Sequence, residues 1–174
     1  TPKPSSAASD VYKRQLSDLV TPRRARSEPE ETLSSRAPRV LCVDDNPANL
    51  LLIQTLLEDM GAKVLAVDNG YAALNAIQTE PFDLVMMDVQ MPGMDGRQST
   101  EAIRQWESER HGTPLPIVAL TAHAMANEKR ALLQSGMDDY LTKPISERQL
   151  AQVVLKWTGL APVSYTHLTL PTKA

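Results

Sequence analysis

Cysteine is nearly absent from this sequence, because Cys42 is the only one among 174 residues. A disulfide framework and a cysteine zinc site are therefore excluded, and since Cys42 lies in an apolar run we expect a buried structural thiol. No apolar stretch approaches the roughly 20 residues that a membrane-spanning helix needs. Basic residues are not in excess, since a formal charge of −3 and a pI near 5.6 provide no positive field for nucleic acid. We expect a soluble, cytoplasmic piece with one well-buried domain plus tails.

Both ends of the chain resemble a translated sequencing adapter rather than native protein. The bases of a transposon-end adapter encode Asp10–Gln15, and their reverse complement in a shifted frame encodes Val163–Leu168. We therefore expect residues 1–15 to be a disordered adapter scar and residues 161–174 to be mostly scar. The native chain would then continue beyond both ends as part of a larger gene product. Residues 16–38, rich in proline and charge without apolar periodicity, are expected to form a linker.

Five short apolar runs alternate with five segments of helical character in residues 39–160. Continuous apolar runs without alternation are typical of strands covered on both faces, as in parallel sheets. The predicted strands are Arg39–Val43, Lys63–Val67, Leu84–Met87, Ile117–Leu120 and Tyr140–Thr142. The predicted helices are Pro47–Met60, Tyr71–Thr79, Gly96–Arg110, Asn127–Ser135 and Ser146–Trp157. This alternation predicts an α/β fold, a doubly wound parallel sheet with right-handed crossovers.

Chemically usable side chains stand at the ends of four predicted strands. Asp44 and Asp45 follow the first strand, Asp88 the third and Thr121 the fourth, while Lys143 comes after the fifth. In a parallel sheet these ends lie on one edge, where ligands bind. Two carboxylates about 5 Å apart repel by roughly 3 kcal/mol at an effective dielectric near 20, so three of them favour a cation. Oxygen ligands without histidine or cysteine favour Mg²⁺, and an ammonium and a hydroxyl beside it suit a phosphoryl group.

Each of these residues also has a purely structural interpretation. Asp45 or Asn46 could cap the first helix, Asp88 could be a turn residue, and Thr121 could simply end a strand. The Lys143–Pro144 pair could form a turn with a cis peptide bond. The functional interpretation depends on all the signals occurring together, in order, at successive strand ends.

The chain resembles a response-regulator receiver domain in four segments, Val43–Asn46, Met87–Gly96, Leu120–Ala122 and Leu141–Pro144. The amino-acid sequence of these segments is most similar to receivers of hybrid sensor histidine kinases of the GacS/BarA type. The resemblance implies a flavodoxin-like sheet of strand order 2-1-3-4-5, spanning residues 39–160. It also implies a position between a kinase core and a histidine phosphotransfer domain. The parent kinase would be anchored in the bacterial inner membrane, and this piece would not be membrane-embedded.

The resemblance also implies a role for each site residue. Asp88 would be the phosphoacceptor, attacking a phosphohistidine of the kinase dimerisation domain. Mg²⁺ would be bound by Asp45, Asp88 and the backbone carbonyl of Gln90, with Asp44 acting mostly through water. Lys143 would neutralise a further phosphoryl oxygen.

Further residues would control access and signalling. Thr121 would donate its hydroxyl to the bound phosphoryl group, and Tyr140 would be the aromatic switch that swings inward with it. Ala122 would leave the phosphohistidine room to approach, whereas His123 is either a residue that tunes hydrolysis or a bystander. Leu51, on the outer face of the first helix, is a candidate docking residue for partner helices.

Three other functions are compatible with parts of the sequence. A Mg²⁺-dependent phosphohydrolase would need a second acid two residues after its nucleophile, where this chain has Gln90. A binding module that has lost the chemistry would not need the complete set of acids, threonine and lysine. A DNA-binding regulator would need a second domain. We therefore expect a phosphoacceptor with slow autodephosphorylation rather than an enzyme, from a parent chain that is a histidine kinase.

Overall fold

The computed structural model describes residues 36–159 except residue 124. The two predicted adapter scars and almost all of the predicted linker lie outside the described residues, and these assignments stay predictions. Within the described residues, no helix is long and apolar enough to cross a membrane.

The described residues form five strands and five helices in strict alternation. The strands are β1 Arg39–Val43, β2 Lys63–Val67, β3 Leu84–Asp88, β4 Ile117–Thr121 and β5 Asp139–Thr142. The helices are α1 Pro47–Asp59, α2 Gly70–Thr79, α3 Gly96–Glu109, α4 Ala126–Gln134 and α5 Glu147–Thr158. Each bound agrees with the predicted one to within one residue, and Asp88 and Thr121 are the last residues of their strands.

The sheet is parallel throughout, with strand order β2-β1-β3-β4-β5. The predicted α/β fold and its strand order are therefore confirmed. β3 and β4 are buried along their whole length, as expected for strands covered on both faces. Ile53 of α1 and Leu150 of α5 pack on one face, whereas Ile77 of α2, Ile103 of α3 and Leu132 of α4 pack on the other.

Local capping signals set where the helices begin. The side chain of Asn46 accepts the backbone N–H of Ala48 and caps α1, which leaves Asp45 exposed and outside the capping role. A capping box between Ser146 and Gln149 opens α5. The Cys42 thiol is fully buried, and burial, with Asp44 nearby, raises its pKa far above the usual value. It is therefore a structural residue, as expected.

Candidate functional site

Three carboxylates meet at the carboxyl edge of the sheet. Ligand oxygens of Asp44, Asp45 and Asp88 lie within 4.8 Å of one another. Asp44 and Asp88 are buried, whereas Asp45 is exposed at the mouth of the site. We call the surrounding cavity of about 190 Å³ the acidic pocket. Its lining residues are Asp44, Asp45, Asn46, Asn49, Asp88, Gln90, Leu120, Ala122 and Lys143.

Lys143 bridges the two buried acids. Its Nζ donates to Asp44 Oδ2 at 2.9 Å and to Asp88 Oδ1 at 3.1 Å. The backbone N–H of Lys143 donates to the Thr121 carbonyl oxygen at 2.8 Å, and the Lys143–Pro144 peptide bond is cis. Asp88 and Lys143, which are 55 positions apart in the chain, meet because β5 lies beside β4 and β4 lies beside β3.

The charge balance of the pocket is unfavourable for an ionised Asp88. Burial and the neighbouring Asp44 raise the pKa of Asp88, and although Lys143 lowers it in part, the pKa remains raised, at about 6. Burial alone would lower the pKa of Lys143, but its hydrogen bond to Asp44 and the charge of Asp88 raise it. One ammonium therefore does not neutralise this cluster, which still favours a further cation.

This imbalance predicts that Asp88→Asn stabilises the metal-free protein. The folded pKa of about 6 lies above the ordinary value, so the folded state binds more protons than the unfolded one between about pH 4 and 6. Stability of the wild type should therefore fall as pH rises through this window and stay low above it. Urea denaturation in EDTA should show the variant more stable at pH 7.5 by a margin that shrinks towards pH 4. Equal stability of the wild type and Asp88→Asn at pH 7.5 would contradict the proposed repulsion between Asp88 and Asp44.

The turn after β3 brings backbone groups to the same pocket. The N–H of Gln90 lies 3.4 Å from Asp88 Oδ1, and the chain closes on itself where the Gly96 N–H donates to the Val89 carbonyl at 3.0 Å. A Cβ on Gly96 would collide with the Asp88 carbonyl oxygen, so glycine is required for this close approach. Gln90 and Ala122 both line the acidic pocket.

Thr121 is the last residue of β4 and Tyr140 lies on β5, and neither lines the acidic pocket. The Thr121 hydroxyl donates to the His123 carbonyl at 3.0 Å and accepts the His123 N–H at 3.2 Å. The Tyr140 ring is half-buried, with Lys129 Nζ at 4.8 Å from its centroid. The hydroxyl of Thr121 is thus engaged by its own loop rather than by the acids, an arrangement that the strand-end pattern did not reveal.

The outer face of α1 carries two exposed leucines rather than one. Leu51 is 66% exposed and Leu52 51% exposed, whereas Ile53 is buried. Leu52 lines a small cavity of about 70 Å³ together with Lys143 and Pro144, and Lys143 also lines the acidic pocket. Asn49 of α1 is half-buried and lines both cavities.

The donors of the acidic pocket fit a magnesium ion. All three clustered side chains offer carboxylate oxygens, the hard ligands that Mg²⁺ prefers. The single ammonium of Lys143 does not neutralise three carboxylates. The remaining negative charge is the electrostatic reason for binding a divalent cation. Asp45 is exposed, so that ion could keep part of its water shell.

Comparison with known proteins places the chain in a family. Residues 40–155 match the family model described as the response regulator receiver domain. The sensor histidine kinase GacS of Pseudomonas protegens is 99% identical over 155 residues, which are 89% of this chain and 17% of that protein. The chain therefore spans less than a fifth of the length of this curated relative.

Two solved structures show the same fold at substantial identity. The receiver domain of the sensor kinase PA1611 of Pseudomonas aeruginosa, solved with magnesium coordinated in its active-site cleft, is 35% identical with a TM-score of 0.64. The comparison covers 71% of this chain and 99% of that one. The receiver of yeast Ssk1, solved with the histidine phosphotransfer protein Ypd1, is 31% identical with a TM-score of 0.68, covering 71% and 90%. The chain belongs to the response regulator receiver domain family, with the resemblance to GacS-type hybrid sensor kinases that its motifs predicted.

Proposed function

We propose that this chain is a phosphorelay receiver that accepts a phosphoryl group on Asp88 and passes it to a histidine phosphotransfer domain. The observation that carries the proposal is the cluster of Asp44, Asp45 and Asp88 bridged by Lys143 at one sheet edge. A buried carboxylate that is held beside an ammonium and two further acids suits attack on phosphorus better than a structural role. Incubation with radiolabelled acetyl phosphate and Mg²⁺ tests it, and one slowly acquired label per chain is expected.

The transfer step uses the ionised form of Asp88. One carboxylate oxygen forms a bond to phosphorus while the bond from phosphorus to the phosphohistidine nitrogen breaks, and the imidazole keeps the electron pair. The product is an acyl phosphate on Asp88. The Lys143 ammonium, already 3.1 Å from Asp88 Oδ1, would turn to neutralise a phosphoryl oxygen.

Asp45, Asp88 and the Gln90 carbonyl would hold the Mg²⁺, with Asp44 acting mostly through water. When bound, the ion supplies positive charge that lets an anionic nucleophile approach an anionic phosphoryl group. Asp44 has a separate task, because its Oδ1 accepts the Asn46 N–H at 2.9 Å while its Oδ2 accepts from Lys143. It therefore positions both the lysine and the start of α1.

Asp45→Asn should weaken Mg²⁺ binding by at least about tenfold, since it removes one charged ligand from the cluster. The variant should fold normally because Asp45 is exposed and does not cap α1. Isothermal titration with MgCl₂ measures the affinity directly, and labelling by acetyl phosphate should recover at high Mg²⁺. Asp68→Asn, an exposed acid after β2 that is outside the cluster, is the matched control. An unchanged affinity in Asp45→Asn would remove it from the ligand set.

Thr121 and Tyr140 would form the switch that reports the phosphoryl group. The Thr121 hydroxyl would exchange its bond to the His123 carbonyl for one to the phosphoryl oxygen, which moves the loop after β4. The half-buried Tyr140 could then move inward. Ala122 at the pocket rim, with its small side chain, would leave the approach open to a partner histidine.

The chain by itself would be a phosphoacceptor with slow autodephosphorylation rather than an enzyme. A hydrolase of this chemistry would place an acid two residues after the nucleophile, and the carboxamide of Gln90 is too weak an acid to protonate a leaving group. Continuous release of phosphate from acetyl phosphate would favour the hydrolase, and absence of label would favour a binding module without chemistry. The phosphate yield per chain thus separates the three functions.

Partner domains would dock on the outer face of α1. Leu51 and Leu52 are exposed, and Leu52 contributes to the small cavity that Lys143 also lines. The proposed partners are the phosphohistidine-bearing dimerisation domain of a kinase and a histidine phosphotransfer domain. The structure of Ssk1 with Ypd1 supports the second class of partner by similarity. The proposal involves no nucleic acid.

Leu51→Glu should slow phosphotransfer from the purified kinase core by roughly tenfold, because it buries a charge in an apolar contact. Labelling by acetyl phosphate should stay unchanged, since Leu51 does not line the acidic pocket. Leu155→Glu, at another exposed leucine on α5, serves as the control. Equal phosphotransfer rates for wild type and Leu51→Glu would remove Leu51 from the docking surface.

The remaining proposals concern the parent protein. By similarity to GacS, the chain would be the receiver of a hybrid histidine kinase that is anchored in the bacterial inner membrane, with the receiver in the cytoplasm. We place the domain at residues 39–160, preceded by the linker at 16–38. Adapter scars would account for residues 1–15 and most of 161–174.

A further inference from the structure

Asn49 of α1 lines the acidic pocket, and no step of the proposed phosphoryl transfer uses it. It is half-buried, in the first turn of the helix. Within the part of the chain that the structure describes, its carboxamide makes no hydrogen bond. Polar groups that are withdrawn from water normally have a hydrogen-bond partner. The partner of this carboxamide is therefore to be sought in the pocket.

Helix capping does not account for Asn49. A residue at the third helical position can complete a capping box, in which its side chain accepts the backbone N–H of the N-cap residue. Here the N-cap is Asn46, and its N–H donates to Asp44 Oδ1 at 2.9 Å instead. The Asn46 side chain accepts the Ala48 N–H at 2.9 Å. The start of α1 is therefore capped without Asn49.

Asn49 and Lys143 lie on the same wall of the pocket. They are the two residues that line both the acidic pocket and the small cavity beside Leu52. An ammonium has three N–H donors. The Lys143 ammonium uses two of them on Asp44 Oδ2 and Asp88 Oδ1, and the third has no acceptor among the described residues. An available acceptor and an available donor thus belong to two residues of one wall.

Phosphoryl transfer would take one acceptor away from Lys143. To neutralise a phosphoryl oxygen, the ammonium has to leave Asp88 Oδ1, which lies 3.1 Å away. Asp44 Oδ2, at 2.9 Å, would then be its remaining acceptor within the described part of the chain. A carboxamide oxygen can replace the lost bond without adding negative charge beside an anionic phosphoryl group, whereas a further carboxylate would repel that group.

We propose that Asn49 positions Lys143: its carboxamide oxygen accepts the third ammonium hydrogen while Lys143 holds a phosphoryl oxygen. Asn49 is thus a positioning residue and does not itself contact the reacting atoms. The inference rests on the proposed phosphoryl transfer, and it adds to that site a residue that comes from the first helix rather than from a strand end.

The first test is the affinity for beryllofluoride with Mg²⁺ present, because this anion occupies the place of a phosphoryl group on an aspartate. Asn49→Leu should weaken binding by roughly tenfold, since it removes one hydrogen bond to a charged group. The variant should remain folded, because leucine favours a helix more than asparagine does and Asn49 has no hydrogen bond to lose within the described residues. Asn75→Leu, at an exposed asparagine of α2, should bind like the wild type.

Amide chemical shifts during the titration measure these affinities. Equal affinity of Asn49→Leu and the wild type, or an equal loss in Asn75→Leu, would overturn the proposal. A wild type that does not bind beryllofluoride would contradict the phosphoryl transfer itself and, with it, this inference. Failure of the proposed function is therefore distinguishable from failure of the role of Asn49 alone.

Hydrogen exchange of the Lys143 ammonium tests whether Asn49 acts through the lysine. In the beryllofluoride complex of a chain with nitrogen-15 lysine, the wild-type ammonium should exchange slowly enough to give a side-chain signal, because all three of its hydrogens are bonded. Lys143→Arg identifies that signal by removing it. Asn49→Leu, saturated with beryllofluoride, should lose the signal. An unchanged signal in Asn49→Leu, or no signal in the wild type, would overturn the proposal.

Discussion

Asp88→Asn is expected to abolish labelling by acetyl phosphate, leaving only the background of a sample without donor. An amide nitrogen or oxygen cannot form the acyl phosphate, so loss of the nucleophile removes the chemistry itself. The variant should remain folded, because asparagine keeps the shape of aspartate and removes one of three crowded charges. The measurement is radiolabel per chain after incubation with donor and Mg²⁺.

The matched control for this experiment is Asp68→Asn. Asp68 follows β2 and is exposed outside the acidic cluster. The control therefore shows whether the loss of an aspartate outside the cluster also reduces labelling. This control should label like the wild type. Persistent labelling of Asp88→Asn at the wild-type level would instead show that another residue is the acceptor.

Of the substitutions proposed here, Arg104→Met is expected to cause the largest loss in the free energy of unfolding. Arg104 joins α3 to the segments that enter β4 and β5: its Nη1 donates to the Leu115 carbonyl and its Nη2 to Asp138 Oδ2, both at 2.8 Å. Within α3, its Nη1 also donates to Glu107 Oε2 at 2.8 Å. Its Nε donates to the Gly136 carbonyl at 2.9 Å. The Glu107 side chain is only 8% exposed, so it would be left as a buried charge without its cation.

The expected loss for Arg104→Met is about 3 kcal/mol in the free energy of unfolding, as for other ion pairs broken in partly buried surroundings. Urea denaturation followed by circular dichroism measures it. Arg110→Met, which removes the guanidinium that stacks on the exposed side of Trp106 at 4.9 Å, should cost less than about 1 kcal/mol. A loss for Arg104→Met no larger than that of the control would contradict the structural role of the network.

The architecture was readable from the sequence because its local signals agree with one another. The run Leu84–Met87 predicts a covered strand, and β3 is indeed buried on both faces. Because the carboxyl ends of parallel strands lie on one edge of the sheet, Asp44 and Asp88 are then expected at the same edge. Local signals also set helix ends: Ser146 and Gln149 form a capping box that opens α5, and Gly136, with φ +103°, follows the end of α4.

Other features depend on tertiary contacts that no local pattern encodes. Arg104 and Asp138 are 34 positions apart, and nothing in their sequence surroundings indicates that they pair. The direction of the Thr121 hydroxyl follows from the loop at His123 rather than from the strand that carries it.

The most direct measurement is the position of the label in the wild-type chain. Protein phosphorylated by acetyl phosphate with Mg²⁺ is reduced with borohydride, which converts an aspartyl phosphate to homoserine, and its peptides are then sequenced by mass spectrometry. Homoserine at position 88, and at no other acid, is the result that our account predicts. Label on a histidine, or homoserine at position 44 or 45 with Asp88 intact, would contradict it.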